Sequence, residues 1–112
     1  MTAQLTYVIK FVADMSKAVA FYRDTIGLNL KFQSPEWSEF ITGPTTLALH
    51  AASPENPAGT ARIGFGVPDL ARFHDDLVGK GVRFSRPPKK EHGHTLAGFL
   101  DVDNVEVSVS GP

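Results

Sequence analysis

VADMSKAVAFYRDTIGLNLKF, Val12 to Phe32, shares its layout with VPDLARFHDDLVGKGVRFSRP, Val67 to Pro87. Both read apolar strand end, Asp, amphipathic stretch, Gly, apolar strand. Val12 and Asp14 stand 55 residues before Val67 and Asp69, and Gly27 and Gly81 keep that spacing within one residue. A pattern repeated at this period means one supersecondary unit used twice. In each copy the Asp caps a helix, its carboxylate accepting free N–H groups of the first turn. Met15, Val19, Tyr22 and Ile26 then fall on one helical face, as do Leu70, Phe73 and Leu77. Gly27 and Gly81 stand where a helix ends in a left-handed residue.

Alternation and turn residues predict strands at Thr6–Val12, Leu30–Gln33, Ser38–Thr42 and Thr46–His50 in the first copy. In the second they predict Arg62–Val67, Val82–Ser85, Thr95–Leu100 and Val105–Val109. SPENPAGT, Ser53 to Thr60, is the turn-rich connection between the halves. Each half, about 5–52 and 61–111, is strand, helix, then three strands. The fold class expected is α+β, with helices on one side of a curved sheet.

The 112 residues are one domain's worth. With 42% apolar and 21% charged residues and a net charge of −1, the composition gives no electrostatic case for nucleic acid or an anionic membrane. The absence of cysteine removes disulfides, thiol nucleophiles and thiolate metal sites. No apolar run approaches the roughly 20 residues that span a bilayer. The N-terminus lacks the layout of a signal peptide, and a cytoplasmic location is expected. A cavity would take a large share of so small an interior, so either it is shallow or a second copy of the chain supplies part of its wall, and a homodimer is the expected assembly.

The pattern V-A-D-x-x-x-A-V-x-F-Y-R-D-x-I-G-L, Val12 to Leu28, resembles the vicinal oxygen chelate superfamily of glyoxalases, bleomycin-resistance proteins and extradiol dioxygenases. Gly93 followed by D-V-D-N at Asp101–Asn104 is similar to the family's G…D-P-D-G-N turn, with Val102 for proline and Asn104 for glycine. The resemblance implies two βαβββ units whose curved mixed sheets wrap a central cavity, helices outside. In the family's metal enzymes, ligands come from the first and fourth strand of each unit. Those positions fall here on Tyr7, Ala48, Arg62 and Ser108. Ala offers no donor and Arg brings a positive charge, so the resemblance implies neither metal nor other cofactor in this chain. Displaced ligands are the alternative: His50 and Glu106, with His92 or His94 as a third.

Strand alternation gives the expected cavity lining. Tyr7, Ile9 and Phe11 share one face of the first strand, and Gly64 and Gly66 leave room on the facing one. Trp37 and Phe40 are expected to add aromatic walls. His50, Glu106 and Ser108 face inward, and His94 lies in the loop before the seventh strand. Arg62 either anchors an oxyanion or pairs with Glu106 across the sheet. RFSRPPKK, Arg83 to Lys90, reads as a solvated loop. Such an apolar pocket with few polar anchors suits a small molecule, here an anionic and partly aromatic one. The function expected is small-molecule binding of a resistance or sequestration type. The alternative is a divalent-metal lyase, isomerase or dioxygenase using the displaced ligands. A metal-free enzyme moving protons through Tyr7 or His50 is a third reading.

Overall fold

The computed structural model describes residues 2–91 and 93–112, and its chain divides into two compact units. One comprises Thr6–Arg62, the other Ile63–Pro112 with the N-terminal end of the chain. The first is built from β1 (Gln4–Val12), α1 (Met15–Ala20), a π-helical turn (Phe21–Thr25), β2 (Asn29–Phe32), β3 (Trp37–Ile41) and β4 (Thr46–Ala51). The second has β5 (Ala61–Gly66), α2 (Leu70–Gly79), β6 (Phe84–Glu91), β7 (His94–Leu100) and β8 (Glu106–Gly111). The class is α+β. Strand order is β2-β3-β4-β1 in the first unit and β5-β8-β7-β6 in the second, the same topology twice. In each, the first strand pairs in parallel with the last, and the remaining ladders are antiparallel.

The repeated Asp caps both helices. Asp14 accepts from the Lys17 N–H at 3.0 Å and Asp69 from that of Arg72 at 3.1 Å. Gly27 and Gly81 carry φ of +87° and +88°, the left-handed conformation that closes each helical segment. Asn104 takes φ of +61° in the final turn, a conformation Asn tolerates better than most residues. The Asp101 carboxylate holds that turn by accepting from the N–H groups of Asp103 and Val105.

The first core lies between α1 and its sheet: Val12, Val19, Phe40 and Leu49 are buried, with Met15, Tyr22, Leu30 and Leu47 packed around them. The second repeats it with Val67, Leu70, Ala97 and Val109 under α2. Two expectations fail here. Ile26 is 53% exposed, because the π-turn bonds the Ile26 N–H to the Phe21 carbonyl and rotates the residue off the face of Val19 and Tyr22. RFSRPPKK is mostly strand rather than loop, since β6 is the outermost strand of its unit and Pro is tolerated at such an edge. Among the described residues, no helix is long and apolar enough to cross a membrane.

Candidate functional site

Register fixes which side chains share the sheet face opposite α1. Leu47 and Leu49 pack under the helix, so alternation turns Ala48 and His50 to the other face. Across the ladders, Ile9 stands beside Ala48, and Phe11 and Trp37 flank His50. The result is a row of rings over three strands. Tyr7 and Trp37 have centroids 6.1 Å apart, Trp37 and His50 meet edge-to-face at 5.7 Å, and His50 and Phe11 are 5.3 Å apart. Cross-strand aromatic pairs of this kind stabilise a sheet and present apolar surface on this face. Ser34 fixes the start of β3, donating its hydroxyl to the Trp37 carbonyl and accepting the Trp37 N–H at 3.2 Å.

The charge on this face belongs to Glu39, which is only 7% exposed. Trp37 Nε1 donates to its Oε2 at 2.7 Å, and Lys31 Nζ lies 3.9 Å from Oε1. The Tyr7 hydroxyl lies beside it, within its electrostatic and hydrogen-bonding influence. Burial, then the adjacent Glu39 charge, then that hydrogen-bonding influence push the Tyr7 hydroxyl above its ordinary value of 10.0, so it stays protonated. His50 Nδ1 lies 2.7 Å from the Ala51 carbonyl oxygen. A carbonyl only accepts, so Nδ1 carries the proton and Nε2 keeps its lone pair in the neutral ring.

The structure places Tyr7, Phe11, Trp37 and His50 in one row of rings, with Ile9 beside Ala48, and adds Glu39, which the sequence reading did not name. The signal was present: Glu39 is two residues from Trp37 and shares its face in any continuous strand. The same parity corrects Phe40. It lies three residues from Trp37, opposite Leu47, and is fully buried under α1 against Val19 and Leu49. It lines no site.

In the second unit, Glu106 and Ser108 alternate with the buried Val107 and Val109. Arg86 Nε lies 3.3 Å from Glu106 Oε1, and its Nη2 donates to Ser108 Oγ at 3.4 Å. The Ser85 hydroxyl donates to the same Glu106 oxygen at 2.7 Å. Gly98 makes room for this group: a Cβ there would sit 3.0 Å from Glu106 Cδ and 3.1 Å from Arg86 Nε. Arg62 is half-buried on β5. His94 opens β7 at an exposed hairpin, opposite Glu91, whereas Glu106 pairs with Leu100 at the other end of that strand. Six residues of strand, about 20 Å, separate the two ends, so His94 and Glu106 share no ion. His92 lies outside the described residues.

These units match the family model for the glyoxalase/bleomycin resistance protein/dioxygenase superfamily over residues 4–109. The chain belongs to this superfamily. A curated relative, the uncharacterized protein YraH of Bacillus subtilis, is 29% identical over 110 residues, covering 83% of this chain and 86% of its own. Among solved structures, hypothetical protein BH1468 of Bacillus halodurans superposes with a TM-score of 0.83 at 16% identity, over 100% of this chain and 96% of that one. Methylmalonyl-CoA epimerase of Streptomyces coelicolor, in complex with 2-nitronate-propionyl-CoA, gives 0.78 at 19% identity, over 96% and 93%. At these identities the structures speak for the fold alone.

The superfamily's metal centre does not fit the residues at its positions. Ala48 has no donor atom, the Tyr7 hydroxyl holds its proton against Glu39, and Ser108 Oγ accepts from Arg86. For the displaced set, Glu106 is engaged by Arg86 and Ser85. Among the described residues, no three His, Asp or Glu side chains gather to hold an ion.

Proposed function

We propose that this superfamily member is a cytoplasmic, homodimeric small-molecule-binding protein of the sequestering type. Its ligand is a flat, partly aromatic molecule that stacks on the Tyr7–Trp37–His50 face. The observation that carries this is the continuous row of rings, with Glu39 fixing the Trp37 polar atom at its base. Rings whose polar atoms are satisfied within the protein are rigid and apolar toward a ligand, which lowers the ordering cost of binding. The acidic character expected of the ligand is kept in the proposal. Exposed Phe32 and Ile41, on β2 and β3, supply apolar area for a second copy of the chain.

Trp37 is the single tryptophan, so its fluorescence reports on this face directly. Titration with anilinonaphthalene sulfonate and with its neutral analogue N-phenyl-1-naphthylamine is expected to give saturable quenching at one site per chain. Calorimetry on Trp37→Ala or Tyr7→Ala is expected to show binding about tenfold weaker, the loss of one aromatic contact. Quenching that never saturates, or affinity unchanged in both variants, refutes the proposal. Light scattering reads the dimer.

A further inference from the structure

We infer that Arg86 is an oxyanion-binding residue, and that its guanidinium, on the face of the second unit's sheet opposite α2, receives a carboxylate or phosphate group of the ligand. The inference deepens the small-molecule reading and moves the expected acidic anchor onto a residue the sequence had placed in a loop. Arg86 is held along one edge of its fork: Nε faces Glu106 and Nη2 faces Ser108. The adjacent, end-on edge pairs Nη2 with Nη1, and the Arg86 side chain is 50% exposed, against 23% for Glu106. Two parallel N–H donors in a fixed plane are the arrangement that pairs bidentately with carboxylate and phosphate.

The surroundings favour recognition over stability. A partly exposed ion pair contributes little to folding, whereas a glycine in mid-strand weakens the strand. Gly98 is nevertheless present, and a Cβ in its place would press on both Glu106 and Arg86. The Ser85 hydroxyl adds a second constraint on Glu106, so the guanidinium is oriented before any ligand arrives. Between Arg83 and Glu91 the chain carries four cations and one carboxylate, which draws anions toward β6. Glu106 balances the charge of Arg86 and orients its donors, so the site selects for groups that present two oxygens to the fork rather than for negative charge as such.

The test follows the Arg86 Nε–H signal and the backbone amides of Gly98 and Ser108 by heteronuclear NMR, during separate titrations with sodium benzoate, inorganic phosphate and sodium chloride at matched ionic strength. Saturable shifts with benzoate or phosphate, absent with chloride, are expected. Response to benzoate alone identifies a carboxylate anchor, and response to phosphate alone a phosphate anchor. Arg86→Gln is expected to weaken binding about tenfold or more, as loss of a charge-assisted hydrogen-bond pair does. Arg86→Lys, which keeps the charge without the fork, is expected to lose most of it too. Equal shifts with chloride, or Arg86→Gln binding within about twofold of the parent (under the tenfold loss expected), overturns the inference. The naphthalene probes on Trp37 fail or succeed independently of these signals, so the two readings are separable.

Discussion

Phe40→Ala separates core from site most sharply, because Phe40 and Trp37 lie three residues apart on one strand and on opposite faces. The Phe40 side chain is fully buried, with Val19 and Leu49 against it and the Tyr22 ring 6.0 Å away. Leu30 and Leu47 flank it on the neighbouring strands, so the sheet cannot collapse into the space left behind. Truncating a core Phe costs about 3–5 kcal/mol, and this rigid setting puts the expected loss near 4 kcal/mol. That is a large part of the roughly 5–15 kcal/mol that holds a domain folded. With a urea slope of about 1.5–2 kcal/mol per molar, the midpoint falls by about 2–3 M. Trp37 fluorescence follows the transition. Phe40→Leu, which conserves more of the volume, is expected to lose only about 1 kcal/mol. Both folded variants keep the affinity of the parent for anilinonaphthalene sulfonate, whereas Trp37→Ala loses affinity. A midpoint shift below about 0.5 M, accompanied by weakened dye binding, would falsify the assignment of Phe40 to the core.

In a Tyr22→Phe background Tyr7 is the sole tyrosine, and its tyrosinate absorbance is expected to rise above the ordinary midpoint of 10.0. Glu39→Gln brings that midpoint down. Because the folded chain then holds a proton that the unfolded chain releases, stability contributed by this group is full below about pH 10 and is lost as pH climbs past it. Gly111→Ala puts a Cβ 2.3 Å from the Val67 carbonyl oxygen. It is expected to cost about 2–3 kcal/mol and to speed hydrogen exchange at the Val67 amide, whose bond to Ser110 is 2.9 Å in the parent. Asp69→Ala removes the cap on Arg72 and is expected to lower stability by about 1 kcal/mol, with faster exchange confined to the first turn of α2. Unchanged protection at Arg72 would show the cap to be idle.

Much of the fold was legible because its signals are local. Asp14, Asp69, Gly27 and Gly81 mark helix ends through backbone chemistry that needs no partner, and the alternation of Leu47, Leu49 and His50 assigns faces without knowledge of neighbours. The π-turn was not legible. Its extra residue alters helical phase after Ala20, and a strict helical count therefore buried Ile26. The prolines of RFSRPPKK argued for a loop because they cannot serve a central strand, yet an outermost strand asks nothing of its outward N–H groups. At the site, face parity carried the aromatic residues. Trp37 and Phe40 together violated that parity, and Glu39 was passed over although it obeyed it. Arg86 was hidden for a different reason: the β6–β7 ladder shifts register on both sides of it, and only the folded pairing brings it to Glu106.

Those same register shifts and prolines govern how the chain behaves toward its own kind. An outermost strand with intact N–H and C=O rows is a template on which another polypeptide can extend the sheet. On β6 the template is broken at Pro87 and Pro88, which donate nothing, and Lys89 and Lys90 beside them repel a second copy of themselves. The outermost strand of the first unit beside β3, β2, is guarded mainly by being four residues long. Crowded, half-folded chains would therefore add strands at β2 before β6, and a charge placed at Phe32 would slow fibrillar aggregation more than any change along β6.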